Sequence, residues 1–156
     1  METVYIKTPL GITKIVGDEA GISVISVSDE GKVSITIPIV LQEAVVQLQE
    51  YFNENRTEFT FKLNPQGTEF QLKVWQELLK IPFGKTISYL DLSKKIGDVK
   101  AIRAVAAANG KNPLWIVIPC HRVIGTDGSL TGYAGGLWRK KWLLEYESPT
   151  NQQSLF

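Results

Sequence analysis

The chain has 156 residues, 44% hydrophobic and 21% charged, with a net charge of +1, the balance of an ordinary globular protein. No apolar run approaches the ~20 residues of a membrane span, and the opening Met-Glu-Thr-Val-Tyr lacks the basic and apolar regions of a signal peptide. A single cysteine excludes an internal disulfide, and with one histidine it leaves too few soft ligands for a structural zinc site. The expectation is a cytoplasmic, metal-free protein with no membrane partner, since a lone free thiol suits a reducing compartment.

Charge is unevenly spread. Residues 1–66 carry 5 Lys+Arg against 9 Asp+Glu, and residues 67–156 carry 12 against 7. That asymmetry is compatible with nucleic-acid binding by the second part alone, and equally with an ordinary solvated surface.

In chain order, apolar stretches at 4–6, 12–16 and 22–27, separated by glycine turns, read as strands. The alternation Val33-Ile35-Ile37 predicts a fourth. Pro38 opens a helix over about 39–54, with Val40, Ala44, Val45, Leu48 and Phe52 at helical spacing. Phe59, Phe61 and Leu63 suit a short strand. Asn64-Pro65-Gln66-Gly67 then breaks the pattern and marks a domain boundary. Nothing before it clusters acid, base and nucleophile, so this first part reads as a scaffold.

From Thr68 the pattern turns helical. Thr68 caps a helix carrying Phe70, Leu72, Val74, Trp75, Leu78 and Leu79, which stops at 81–84. Thr86 or Ser88 caps a shorter helix over 89–96, ended by Gly97. Val99 begins a third, with Ile102, Val105 and Ala106 on one face and Ala101, Ala104, Ala107 and Ala108 around it. Two short helices about a glycine turn form a helix-turn-helix pattern. The small side chains would let the third helix approach a groove, with Arg103 as its long cationic group. They would equally let two core helices pack closely, and spacing alone leaves both readings open.

After 109–113 the chain enters Ile116-Val117-Ile118-Pro119-Cys120-His121-Arg122-Val123-Ile124, read as a strand. It holds the only cysteine and the only histidine. A deprotonated thiol is the strongest nucleophile among unmodified side chains, and His and Arg are residues that activate one. A buried cysteine acting as a small hydrophobe remains the alternative. In an extended segment, neighbouring side chains point to opposite faces, which disfavours a direct Cys–His pair of the protease kind. Gly132-Tyr133-Ala134-Gly135-Gly136 offers backbone amides and one aromatic ring for a flat ligand, or is an ordinary surface loop. A helix through Trp138 and Trp142 ends near Glu147, and the 148–156 tail is expected to be disordered.

These motifs together resemble a known family. Phe83-Gly84-Lys85-Thr86-Ile87-Ser88-Tyr89, Arg103-Ala104-Val105, Asn112-Pro113, Pro119-Cys120-His121-Arg122-Val123 and Gly132-Tyr133-Ala134-Gly135-Gly136-Leu137 are similar, in this order, to the methylated-DNA–protein-cysteine methyltransferases. The likeness is specific over 68–147 and only architectural over 1–66. It implies an α/β protein. A small N-terminal sheet-plus-helix domain, ribonuclease H-like, occupies 1–66, and a mostly helical, winged helix-turn-helix-like alkyltransferase domain occupies 67–147.

The implied activity is direct-reversal DNA repair. An alkyl group passes from the 6-oxygen of guanine, less well from the 4-oxygen of thymine, irreversibly to Cys120. The implied partner is alkylated double-stranded DNA, bound by a monomer without a cofactor. Arg103 resembles the family's arginine finger, which fills the gap left by a flipped nucleotide. Tyr89 resembles the residue that crowds that nucleotide and donates a proton to the departing guanine. His121, buttressed by Glu147, resembles the base that takes the thiol proton through a water. Asn112 ties the recognition helix to the active-site segment. Carbonyls of Cys120 and Val123 would hold the guanine amino group, with Tyr133 and the Ala134 amide framing its ring and oxygen. On this reading Cys120 is expected to be more ionised at neutral pH than a free thiol, whose pKa is ~8.5. Alkyltransferase-like proteins share the fold and bind lesions without reacting, but carry Trp where this chain has Cys120.

Overall fold

The computed structural model describes residues 1–130, 133 and 135–148. It divides into two compact units, Met1–Gln66 with Pro113–Trp115, and Gly67–Asn112 with the chain from Ile116 onward.

The first unit is built on an antiparallel sheet in the order β1 (Glu2–Thr8), β2 (Gly11–Asp18), β3 (Gly21–Ser28). Period-two patterning sends Val4, Ile6, Ile15 and Ile25 into the core. The helix α1 (Gln42–Phe52) covers them with Ala44, Val45, Leu48 and Tyr51. A one-turn 3₁₀ segment, Ile39–Leu41, leads into it.

Two expected strands are absent. Over 33–37 only Ser34 meets the sheet, its N–H donating to the Tyr5 carbonyl (2.9 Å) and its hydroxyl accepting from the Tyr5 N–H (2.9 Å). Ile35 stands fully exposed and Val33 half exposed, so the alternation has no face to bury and no ladder to join. Over 59–63, Leu63 alone makes a bridge, to Ile22. The free edge of β3 is instead covered by two short returns of chain. Ile22 exchanges bonds with Lys62 and Asn64 (2.9 and 2.7 Å), and Ile25 does so with Pro113 and Trp115 (2.8 and 3.0 Å). Covering an edge with irregular chain blocks further strand pairing. It also explains why Pro113–Trp115, late in the sequence, packs with the first unit.

The second unit is helical. Thr68 closes a capping box on α2 (Glu69–Leu78): its hydroxyl accepts from the Gln71 N–H, and the Gln71 amide oxygen accepts from the Thr68 N–H. Ser88 caps α3 (Tyr89–Ile96), and Gly97, at φ 102°, ends it in the left-handed region that glycine tolerates. A 3₁₀ turn, Val99–Ala101, leads into α4 (Ile102–Gly110). Val74 and Leu78 of α2, Leu92 and Ile96 of α3, and Val105 and Ala108 of α4 form the core. The indole N–H of Trp75 donates to the Ala108 carbonyl (2.9 Å), tying α2 to α4. The last helix is α5 (Leu137–Glu147).

Candidate active site

A two-residue parallel ladder sets up the site. β4 (Ile87–Ser88) pairs with β5 (Val123–Ile124), Ile87 opposite Val123 and Ser88 opposite Ile124. This clamps the start of α3, and with it Tyr89, to the segment carrying Cys120. That segment is entered through Ile116, a buried β-branched residue at φ 71°, a conformation held only where surrounding packing over-determines it.

Cys120–Arg122 is a 3₁₀ turn rather than a strand. Pro119 starts it: the Cys120 N–H reaches back to the Ile118 carbonyl (2.8 Å) and the Arg122 N–H to the Pro119 carbonyl (3.0 Å). The turn removes the alternation that would have set Cys120 and His121 on opposite faces. It also occupies one backbone acceptor, because the Val123 N–H donates to the Cys120 carbonyl.

His121 and Glu147 are buried together, their Nε2 and Oε2 atoms 3.0 Å apart. Arg122 grips the same carboxylate with a fork, Nε to Oε1 at 2.7 Å and Nη2 to Oε2 at 2.8 Å, and donates Nη1 to the Ile81 carbonyl (2.7 Å). Burial by itself would raise the Glu147 pKa. The His121 charge, the hydrogen bonds from Arg122 and His121, and the Arg122 charge outweigh it and hold the carboxyl at about 2. Burial dominates at His121 and pushes its pKa below 6.5 despite the neighbouring carboxylate. With His121 neutral at pH 7, the Arg122 fork is what keeps Glu147 ionised.

An ionised carboxylate only accepts, so His121 carries its proton on Nε2 and offers the Nδ1 lone pair. Nδ1 is buried and has no hydrogen-bond partner among the described residues. A neutral imidazole held this way is built to receive a proton.

Cys120 is 6% exposed, and burial raises its pKa above 9.0 although the Asn112 side chain bonds the sulfur and the Lys140 charge favours the thiolate. The resting thiol is therefore protonated. That overturns the expectation of a thiol more ionised than a free one: desolvation outweighs every group that favours the anion. Asn112 also donates Nδ2–H to the Ile118 carbonyl (2.7 Å), joining the end of α4 to the turn.

The second half of the site is a cavity of about 580 Å³ lined by Tyr89, Ile102, Arg103, Ala106, Gly110, Gly125, Thr126 and Tyr133. Arg103 is exposed at its rim on α4. Cys120 is not among the lining residues. Cys120, His121 and Glu147 are thus buried together with half-buried Asn112 on the sulfur, and Tyr89, Arg103 and Tyr133 gather around the cavity. Val123 is buried in the ladder. Ala134 lies outside the described residues, as do residues 149–156 of the expected disordered tail.

Two residues at the site had no role assigned from sequence, and a third, Arg122, read there as an activator of the thiol, is bound to the Glu147 carboxylate instead. Arg122 stands within the quoted motif, and a cation inside an apolar run is a signal that it is paired. Lys140 is fully buried, with its ammonium 5.9 Å from the Tyr89 ring centroid; nothing in the pattern of α5 marks it. Asn109 falls four residues after Val105, on the buried face of α4. Among the described residues no group of three or more His, Cys, Asp or Glu could hold a metal ion, and no helix is long and apolar enough to cross a membrane.

A helix-turn-helix beside a buried Cys–His–Glu cluster defines a DNA-binding protein class with a reactive thiol. Residues 69–149 match the family model described as the DNA-binding domain of 6-O-methylguanine DNA methyltransferase, and residues 1–65 match its ribonuclease-like domain. The chain is 44% identical over 148 residues to the methylated-DNA–protein-cysteine methyltransferase of Methanosarcina acetivorans, spanning 90% of this chain and 94% of that protein. The crystal structure of the Mycobacterium tuberculosis O6-methylguanine methyltransferase is similar with a TM-score of 0.84 at 37% identity, covering 99% of both chains. That of Mycobacterium tuberculosis OGT in complex with DNA has a TM-score of 0.84 at 39% identity, covering 97% of this chain and 98% of the other. The chain belongs to the methylated-DNA–protein-cysteine methyltransferase family.

Proposed function

We propose that this protein repairs double-stranded DNA by moving a methyl or other alkyl group from the 6-oxygen of guanine, and less well from the 4-oxygen of thymine, to Cys120. The observation that carries the reading is the buried hydrogen bond between ionised Glu147 and neutral His121, beside a lone thiol. It supplies a base with its lone pair on Nδ1 for a nucleophile that cannot ionise unaided.

In this reading the helix-turn-helix enters the minor groove, Arg103 fills the gap in the stack, and the damaged nucleotide turns out into the cavity. Tyr133, the Ala134 amide and the carbonyls of Cys120 and Val123 frame the purine, while Asn112 holds the turn to α4. His121 takes the thiol proton through a water. Sulfur then bonds the alkyl carbon as the carbon–oxygen bond breaks, and the electron pair leaves on the purine, which takes a proton from the Tyr89 hydroxyl. Proton exchange with solvent returns His121 and Tyr89 to their neutral forms. The product thioether has no carbonyl for water to attack, so each molecule reacts once. The damaged base is itself the donor, and no step calls for a cofactor or a second copy of the chain. A thiol that must stay reduced until used fits a cytoplasmic setting.

The test is to incubate the protein with duplex carrying 6-O-methylguanine and follow the Cys120 peptide by mass. The expected result is one methyl group on Cys120 and an intact guanine in the DNA. A lesion that is bound but retained, with Cys120 unmodified, would overturn the reading and leave a damage-binding protein.

A further inference from the structure

We infer that Asn109 is the positioning residue of Tyr89, holding its hydroxyl so that its proton is free for the purine; the inference rests on the reading of Tyr89 as proton donor. Asn109 sits on α4, 2% exposed, with Nδ2 3.3 Å from the Tyr89 hydroxyl oxygen. An amide N–H only donates, so the tyrosine oxygen accepts and its single O–H stays unspent. A donor on that oxygen also stabilises the phenolate left when the proton departs. The Lys140 ammonium lies 5.9 Å from the ring centroid.

The position is held against the interest of packing. The Asn109 carbonyl oxygen is buried and has no hydrogen-bond partner among the described residues, a burden that leucine of similar size would not carry. Everything else on the buried face of α4 is apolar and small. A polar side chain kept there with half of its amide unsatisfied points to the half that is engaged, the contact with Tyr89. The reverse orientation of the amide would make Tyr89 donate to Asn109 and spend the proton that transfer needs. Asn109 does not itself line the cavity, so its effect on the chemistry passes through Tyr89.

Single-turnover transfer from a duplex carrying 6-O-methylguanine, at saturating duplex, tests this with Tyr89→Phe, Asn109→Leu, Asn109→Ala and the two double variants. Each molecule reacts once, so the amplitude counts folded protein while the rate constant reports the chemistry. Tyr89→Phe should slow transfer by about a hundredfold, the lower end for a lost general acid. Either Asn109 variant should slow it about tenfold when Tyr89 is present and less than about twofold in the Tyr89→Phe background, the non-additivity of residues acting as a unit. An equal fold-loss in both backgrounds, or a reduced amplitude with an unchanged rate, would show that Asn109 only supports the helix and would overturn the inference while leaving Tyr89 as donor. A Tyr89→Phe protein as fast as the wild type would overturn the donor reading, and this inference with it.

Discussion

A thiol that burial holds protonated must be ionised within the site, and the neighbouring groups divide that work. Lys140 lends a nearby positive charge, Asn112 bonds the sulfur, and His121 offers Nδ1 because Glu147 occupies Nε2. Glu147→Gln leaves an amide that can still accept from His121 but strips Arg122 of its counter-charge and His121 of the carboxylate that favours its protonated form. Transfer by that variant at pH 7 is expected to be slower by about 10²-fold, within the range of a general base. Raising the pH toward the titration of Cys120 should narrow the gap, because hydroxide then supplies the deprotonation. Single-turnover rates against pH for both proteins on one alkylated duplex decide it: a variant equally slow at every pH would mean that Glu147 only orients. The sequence marked Cys120, His121 and Glu147 through motif and resemblance, yet it gave the wrong direction for thiol ionisation. Burial is a property of the packed turn, and no residue type announces it.

Among the elements, legibility followed local chemistry. The capping box at Thr68 and Gln71, the Ser88 cap and the left-handed Gly97 are set by side chains within a few residues, and these helix ends stand where the sequence places them. Two of the segments misread as strands, 33–37 and 116–122, fail for a shared reason. Strand formation needs a ladder partner and a face to bury, which depend on distant chain; Pro119 turns the second segment before any ladder forms. Arg103 could be placed on α4 by periodicity, but its position at the cavity rim depends on the β4–β5 clamp, a pairing of two-residue strands too short to read. That position carries a prediction. Arg103→Ala should lower repair of duplex DNA about tenfold or more while sparing reaction with the free modified base, since nucleotide flipping costs a few kcal/mol and only the duplex demands it. Parallel rate measurements on the two substrates test it, and equal losses would assign Arg103 to the cavity rather than to the stack.

Across the whole molecule, the buried titrating groups fix how stability depends on pH. His121 has a folded pKa below its ordinary 6.5, so an unfolded chain binds a proton that the folded one refuses once the pH drops past that value. Glu147, held at about 2 against an ordinary 4.5, repeats this lower down. Stability is therefore complete above about pH 6.5 and is lost in two stages on acidification, the second amounting to at most about 3 kcal/mol at 1.36 kcal/mol per pKa unit. Cys120 acts at the other end. Its folded pKa lies above 9.0, so above that pH the unfolded chain releases a proton that the folded chain keeps, and stability falls as the pH rises. Lys140, lowered from 10.5, works in the opposite direction there and blunts the loss. Methylation of Cys120 separates the two alkaline effects, because a thioether has no proton to release. Thermal unfolding of the unmodified and the methylated protein across pH 4–10 should give parallel acid limbs. Above pH 9 the midpoint of the unmodified protein should fall relative to that of the methylated one. Alkaline limbs that stay parallel would mean that Cys120 titrates alike in the folded and unfolded chains, and that burial does not raise its pKa.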